Sequence, residues 1–228
     1  SARDHILGFK GINGKGEIIK SGGTVVKNVT GYDLSKIITG SFGTLSVFTE
    51  ISVKVLPKAD LTKTLVIENP PLKKGLEYLN VALGSSTDPS GGVFYPEYFR
   101  NQFVFNDLTT EGPITAIRIE GSKLSVDERI NQLLKELNVT SKEVSILDPS
   151  QSNIFWEKTR SLQVFSDLKN NLLKLVIPPS ETFEVINKLK VYKIKYFVDM
   201  GGNLILIKMD SISVNILNSI NKFIQNLK

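Results

Sequence analysis

Residues 21–57 read SGGTVVKNVTGYDLSKIITGSFGTLSVFTEISVKVLP, and their glycines are unevenly spread: Gly22, Gly23, Gly31, Gly40 and Gly43 fall within 22 residues. The sharpest part is Gly40-Ser41-Phe42-Gly43-Thr44, between a short helix expected at 34–39 and a long strand expected at 44–56. Asp33 is placed to cap the helix and Gly40 to follow its C-terminus. The strand reading rests on alternation and β-branched residues, and Pro57 ends it. Two glycines and two hydroxyls in five residues let a backbone approach a ligand closely and offer it N–H and O–H donors, which suits a phosphate or a flat cofactor. Order and spacing are neither those of a GxGxxG turn nor those of a GxxxxGK[ST] loop. A helix end running into a hairpin would use the same residues.

Upstream, residues 6–12 (ILGFKGI) and 17–20 (EIIK) read as two strands joined by the tight turn Asn13-Gly14-Lys15-Gly16. Downstream, Pro57-Lys58-Ala59-Asp60 is the best boundary in the chain, giving domains at 1–57 and 58–228. Charge changes there too. Residues 1–58 carry eight basic and four acidic residues, and residues 59–228 carry 20 and 19. The surplus in the first quarter suits a phosphate-bearing ligand, or a lysine-rich solvated face. Beyond the boundary, strands are expected at 61–68, 92–98, 103–105, 114–120, 143–147, 172–177, 194–200 and 203–209. Helices are expected from Pro70-Pro71 to about Leu83, at 123–137, within 150–165, at 181–190 and at 211–227. Strands alternating with one-sided helices and mixed with hairpins indicate an α+β fold with a mostly antiparallel sheet, covered mainly on one face.

The composition excludes several chemistries. With no cysteine among 228 residues there is no disulfide, no thiolate-held cluster and no thiol nucleophile. A single histidine, His5, excludes any site needing two imidazoles. Hard chemistry would then come from a cofactor. The net charge of +5 comes from scattered residues, only five of them arginine, and the longest basic run is Lys73-Lys74, so no nucleic-acid partner is expected. No apolar run approaches the roughly 18–20 residues of a membrane helix, and the first residues lack the order of a signal peptide, so a cytoplasmic location is expected.

The stretch from Ser1 to Pro57 resembles the FAD-linked oxidases of the p-cresol-methylhydroxylase (PCMH), or vanillyl-alcohol-oxidase, type. Among them it is similar to the FAD-binding E subunits of bacterial glycolate oxidases. The resemblance is carried by Arg3-Asp4, Leu7-Gly8, Gly22-Gly23, Lys27-Asn28-Val29, Gly31-Tyr32-Asp33-Leu34, Gly40-Ser41, Gly43-Thr44-Leu45, Thr49-Glu50 and Lys54-Val55-Leu56-Pro57. It implies that residues 1–57 are the C-terminal part of a PCMH-type FAD-binding domain and that 58–228 form the α+β cap domain. It implies FAD as cofactor, with Gly40, Ser41, Gly43, Thr44, Leu45 and Val47 along its adenosine-diphosphate half. Arg3 and Asp4 would lie on an early strand beside the flavin domain. Lys27, Asn28, Thr30, Tyr32 and Asp33 would lie near the flavin's reactive end or support the loop that does. Tyr32 and Asp33 have a second reading, as aromatic packing and a helix cap. Ser46 departs from the glycine usual at its position.

The same resemblance implies a lobe ahead of Ser1 that grips the FAD pyrophosphate, so the chain is expected to be the C-terminal portion of a longer protein. The catalytic partner subunits carry an HxGDGNxH motif, which one histidine cannot supply, and this favours the E type. The implied reaction is oxidation of a 2-hydroxy acid, glycolate to glyoxylate, within a complex of a catalytic flavoprotein and iron–sulfur subunits. Its expected location is cytoplasmic, with peripheral attachment to the inner membrane through that complex as the alternative. Another FAD-linked oxidase or dehydrogenase and a flavin-free structural subunit are the other readings.

Outside this stretch, Arg118 and Arg160 are candidates for binding a substrate carboxylate. Trp156 and Arg160 resemble a recurring W-x-x-x-R, and their i, i+4 spacing also allows one to stack on the other. Tyr95, Tyr98, Phe99, Phe103 and Phe105 form an aromatic cluster, with core packing as its default reading.

Overall fold

A computed structural model of the chain describes residues 2–25, 32–103, 112–140, 142–165 and 171–225. The chain divides into two compact units, Ser1–Lys58 and Ala59–Lys228.

Unit 1 opens with a single helical turn, α1 (Ala2–His5), where a strand was expected under Arg3 and Asp4. Then follow β1 (Ile6–Asn13), β2 (Ile18–Gly22), α2 (Leu34–Ile38) and β3 (Ser46–Val53). The strands form an antiparallel sheet in the order β2-β1-β3. The expected hairpin turn is held by the Asn13 side chain, whose Oδ1 accepts from the N–H of Lys15 (2.9 Å) and of Glu17 (3.0 Å). β3 is shorter than the expected 44–56. Just past it, the Lys54 N–H donates to the carbonyl of His5, the last residue of α1, at 2.7 Å. Gly8 and Gly22 face each other across β1 and β2 because nothing larger fits. A Cβ on Gly22 would lie 2.2 Å from the Leu7 oxygen, and its φ is +71°. Ile6, Phe9 and Ile38 are the buried apolar core, and Phe9 packs on Phe48 with ring centroids 4.9 Å apart.

Unit 2 comprises β4 (Leu61–Glu68), α3 (Leu72–Gly84), β5 (Gly91–Tyr95), β6 (Ile114–Gly121), α4 (Lys123–Leu137), β7 (Val144–Leu147), α5 (Pro149–Arg160), β8 (Leu172–Val176), α6 (Thr182–Leu189), β9 (Lys195–Asp199), β10 (Leu204–Lys208) and α7 (Val214–Gln225). Its strands make one antiparallel sheet in the order β7-β4-β6-β5-β9-β10-β8. The elements β4-α3-β5-β6-α4-β7 form a split βαβ repeat. The elements β8-α6-β9-β10-α7 repeat that path without a last strand. The two repeats meet where β5 pairs with β9, over Val93↔Asp199 and Phe94↔Val198 only. Past that seam the Tyr98 hydroxyl replaces the ladder, accepting from the Tyr196 N–H (2.7 Å) and donating to the Tyr196 carbonyl (3.0 Å).

Local signals account for the helices. Asp148 and Gln151 form a capping box ahead of α5, with Pro149 in its first turn. Val126, Ile130, Leu133 and Leu137 give α4 its buried stripe, and Asn138 ends it at φ +51°. One sheet face packs against the helices that carry Leu79, Leu133, Ile186 and Ile220. The other face is also closed, in contrast to the one-sided cover expected. Phe155 of α5, together with Tyr95, Phe99, Phe103, Val164 and Phe165, packs on Val66, Ala116 and Phe197. The central strands are therefore buried on both sides, as the run Leu65-Val66-Ile67 shows. The strand expected at 92–98 stops at Tyr95, and after Pro96 residues 97–102 turn as a short 3₁₀ segment.

Candidate functional site

In unit 1 the turn from Gly40 to Thr44 is left-handed at three positions: Gly40 (φ +91°), Phe42 (+51°) and Gly43 (+79°). The Ser41 N–H donates to the Ile38 carbonyl, and the N–H and hydroxyl of Thr44 both donate to the Ser41 carbonyl. The N–H groups of Phe42 and Gly43 meet no backbone acceptor among the described residues. A Cβ on Gly40 or Gly43 would touch nothing within 4 Å, and Phe42 is fully exposed. Leu45 and Val47 continue the same open surface, 52% and 62% exposed. A bare, exposed turn whose N–H groups have no backbone partner among the described residues, beside apolar side chains, fits a phosphate joined to a flat ring.

Of the other expected site residues of unit 1, those described lie away from that turn, around the start of α2. Asp33 caps that helix, its Oδ1 accepting from the Lys36 N–H at 3.3 Å. Lys36 Nζ donates to the Arg3 carbonyl at 2.6 Å, so Arg3 is brought to α2, with Asp4 next to it on α1. Tyr32 is 90% exposed and has no packing role among the described residues. Lys27, Asn28 and Thr30 lie outside the described residues. His5 Nδ1 lies 3.1 Å from the Lys54 carbonyl, a strand-end contact.

Unit 2 holds a cavity of about 680 Å³ that includes Ser90, Gly91, Arg118, Trp156, Thr159 and Asp199 in its wall. Its floor is the start of β5, where Gly91 has no side chain. A Cβ there would press on the Trp156 ring at 3.3 Å. The Trp156 Nε1–H donates to the buried Thr64 hydroxyl at 2.8 Å. Arg118 reaches the cavity from β6. Its Nε donates to Ser90 Oγ (2.9 Å) and its Nη2 to the Ser90 carbonyl (3.1 Å), and Glu120 pairs with it at 3.4 Å.

The partner of Trp156 is Arg118, not Arg160: the Arg118 guanidinium lies 4.9 Å from the indole centroid. Arg160, though it also lines the cavity, turns to Glu157 on the same helix. Stacking of Trp156 on Arg160 is thus corrected. The i, i+3 carboxylate captures Arg160, while the sheet delivers Arg118 from below.

Asp199 closes the far side of the cavity. Burial pushes its carboxyl up, opposed by the Met200 N–H, which donates to Oδ1 at 2.7 Å, and by the charge of Arg118. Met200, Gly201 and Gly202 follow with φ of +51°, +67° and +98°, a sharp turn that sets the Asp199 position. Tyr95 donates to Thr159 Oγ1 at 3.1 Å, and burial pushes its phenol well above the usual range. Sequence reasoning found Arg118, Arg160, Trp156 and Tyr95 but missed Asp199. Its one signal was a carboxylate one residue ahead of the Gly201-Gly202 pair of a hairpin. Phe99 and Phe103 are core, as their default reading had it, and Phe105 lies outside the described residues.

Among solved structures, alkyldihydroxyacetonephosphate synthase superposes with a TM-score of 0.67 at 16% identity, over 99% of this chain and 48% of that one. p-Cresol methylhydroxylase does so with a TM-score of 0.57 at 12% identity, over 90% and 51%. The fold is therefore that of the PCMH-type FAD-linked oxidases, as the resemblance implied. Glycolate oxidase subunit GlcE of Escherichia coli (strain K12) is 55% identical over 58 residues, 25% of this chain and 17% of that protein. Glycolate oxidase subunit GlcD of Bacillus subtilis (strain 168) is 44% identical over 64 residues, 28% and 14%. A D-lactate dehydrogenase of Anaerostipes hadrus is 38% identical over 65 residues, 28% and 14%. The chain thus spans less than a fifth of the length of these relatives. No protein-family model matches it.

Proposed function

We propose that the chain is part of an FAD-linked oxidoreductase that converts a 2-hydroxy acid, such as glycolate, to the 2-oxo acid. It would act as the FAD-binding subunit of a glycolate oxidase-like complex. The observation that carries this reading is the open glycine turn at Gly40–Thr44, within a sequence matching glycolate oxidase subunits at 44–55% identity. Bound FAD supplies the acceptor for a hydride. Gly40, Ser41, Gly43 and Thr44 would hold its phosphates by backbone and hydroxyl groups, with Leu45 and Val47 against the adenine side. Arg3, Asp4, Lys27, Asn28, Thr30, Tyr32 and Asp33 would serve the flavin's reactive end. In unit 2, Arg118 is the group suited to a carboxylate, since its Nη1 makes no hydrogen bond among the described residues and the indole of Trp156 lies against the guanidinium.

The implied partners are a catalytic flavoprotein subunit and an iron–sulfur subunit, and the implied location is the cytoplasm, at the membrane only through that complex. No described helix is long and apolar enough to cross a membrane. The match to a D-lactate dehydrogenase supports a second substrate reading, D-lactate to pyruvate, with the same chemistry. The test is flavin absorbance of the protein purified from its host. Stoichiometric flavin supports the reading. Protein without flavin would leave a structural subunit that keeps the fold only to bind partners. Turnover with glycolate against D-lactate then decides the substrate.

A further inference from the structure

The cavity of unit 2 carries a second recognition group facing Arg118. β5 runs between β6 and β9, and the sheet register sets Arg118 opposite Gly91 and Asp199 opposite Val93. Residues two apart on a strand share a face, so both side chains rise on the face of Gly91 and Val93. Their Cα atoms stand two strand spacings apart, roughly 10 Å, and two residues apart along the strands, roughly 7 Å. Gly91 contributes no side chain between them, the Trp156 ring lying against it, and among the described residues no ion pair joins them, Arg118 pairing with Glu120 instead. A cation and a carboxylate thus line one cavity without pairing.

We propose that Asp199 is the specificity-determining residue of this cavity, accepting a hydrogen bond from the 2-hydroxyl of an acid whose carboxylate sits on Arg118, and so selecting the hydroxy acid over its oxo form. The inference rests on the hydroxy-acid part of the proposed function and adds the group that reads carbon 2. Asp199 Oδ1 is occupied by the Met200 N–H, and Oδ2 accepts no hydrogen bond among the described residues. An ionised carboxylate only accepts. It therefore attracts an alcohol, which donates, and repels a carbonyl oxygen, which cannot. A site built to bond a hydroxyl rejects the analogue lacking it, because its own polar group is left unpaired. The Met200 bond also fixes what an amide would do. In Asp199→Asn the side-chain oxygen keeps the Met200 N–H and the NH₂ takes the Oδ2 position, turning an acceptor into a donor.

The experiment is equilibrium binding, by calorimetry on the whole chain, of D-lactate, propionate and pyruvate. These share a carboxylate and a methyl group and differ only at carbon 2. D-lactate should bind at least about tenfold tighter than propionate, and pyruvate weakest. In Asp199→Ala the three affinities should converge to within about twofold, and in Asp199→Asn pyruvate should overtake D-lactate. Arg118→Leu should weaken all three together, with thermal melts confirming that each variant is folded. Equal binding of the three acids by the parent protein, no binding of any of them, or an unchanged ranking in Asp199→Asn would overturn the proposal. Flavin content is read separately. Flavin-free protein that ranks the acids keeps this inference and sinks the cofactor claim, and flavin-bearing protein that binds them alike does the reverse.

Discussion

The guanidinium of Arg118 lies over the indole of Trp156, 4.9 Å from the ring centroid, and both stand above Gly91. Trp156 is the only tryptophan in the chain. Its fluorescence therefore reports the cavity alone, and a carboxylate arriving at Arg118 should change its intensity or peak position saturably. Arg118→Leu should abolish the titration. An unresponsive indole in protein that binds lactate by calorimetry would place the ligand elsewhere.

Trp156→Phe keeps most of the ring but drops the N–H that satisfies Thr64, which is fully buried. The expected loss is about 1–3 kcal/mol of stability, with denaturant midpoints as the measurement. The double change Trp156→Phe with Thr64→Val should recover part of that loss, because both polar partners are then gone.

Gly22→Ala should be severely destabilising to unit 1, by more than about 2 kcal/mol, since its Cβ would run into the Leu7 oxygen at a positive φ. Gly23→Ala, one residue on, meets nothing within 4 Å and has no positive φ, so it should be close to neutral. Amide exchange of β1 in the two variants separates the outcomes, and equal protection would contradict the close approach of β1 and β2.

Burial, helped by the charge of Glu97, raises the Tyr196 phenol from 10.0 to about 12, and burial moves Tyr95 and Tyr98 the same way. The unfolded chain thus loses these protons first as pH rises. The associated stability is complete below pH 10 and is lost as pH climbs from 10 towards 12, by roughly 2–3 kcal/mol for Tyr196. Denaturant midpoints should fall across that window, and in Tyr196→Phe the fall should be smaller.

Asp199 is raised by burial, so its charged form works against folding. That stability is present below the unfolded value of 3.8 and is lost as pH rises through the folded one. Asp199→Asn should therefore melt higher than the parent at neutral pH, and the gain should vanish in acid. A variant that is more stable but ranks ligands wrongly is the pattern of a group kept for recognition.

How much was legible followed the range of the signals. The Asn13 turn, the stripe of α4 and strand β4 at Leu61–Glu68 were readable because each is decided within a few residues. The helical turn under Arg3 was not, since it depends on Lys36 reaching back from α2. Nor was the true partner of Trp156 readable. Spacing on one helix pointed to Arg160, whereas Arg118 arrives through the register of β6 against β5, which no local pattern shows. The same register sets Asp199 across from Arg118, and a lone Asp before two glycines does not announce it. The glycine turn at 40–44 stood out in the sequence, but its openness is visible only in the structure.

The seam between β5 and β9 is two residue pairs long, where β4 and β6 share eight. Backbone bonds are the cheapest part of a sheet to break where they are few, so the second unit has a built-in line of parting between its repeats. Each repeat should protect its own amides to a separate depth in hydrogen exchange. The line passes beside Gly91 on one strand and ends at Asp199 on the other. What joins the two repeats across that line is chiefly side chains, Tyr95 against Phe197 and the Tyr98 hydroxyl on the Tyr196 backbone, rather than the ladder.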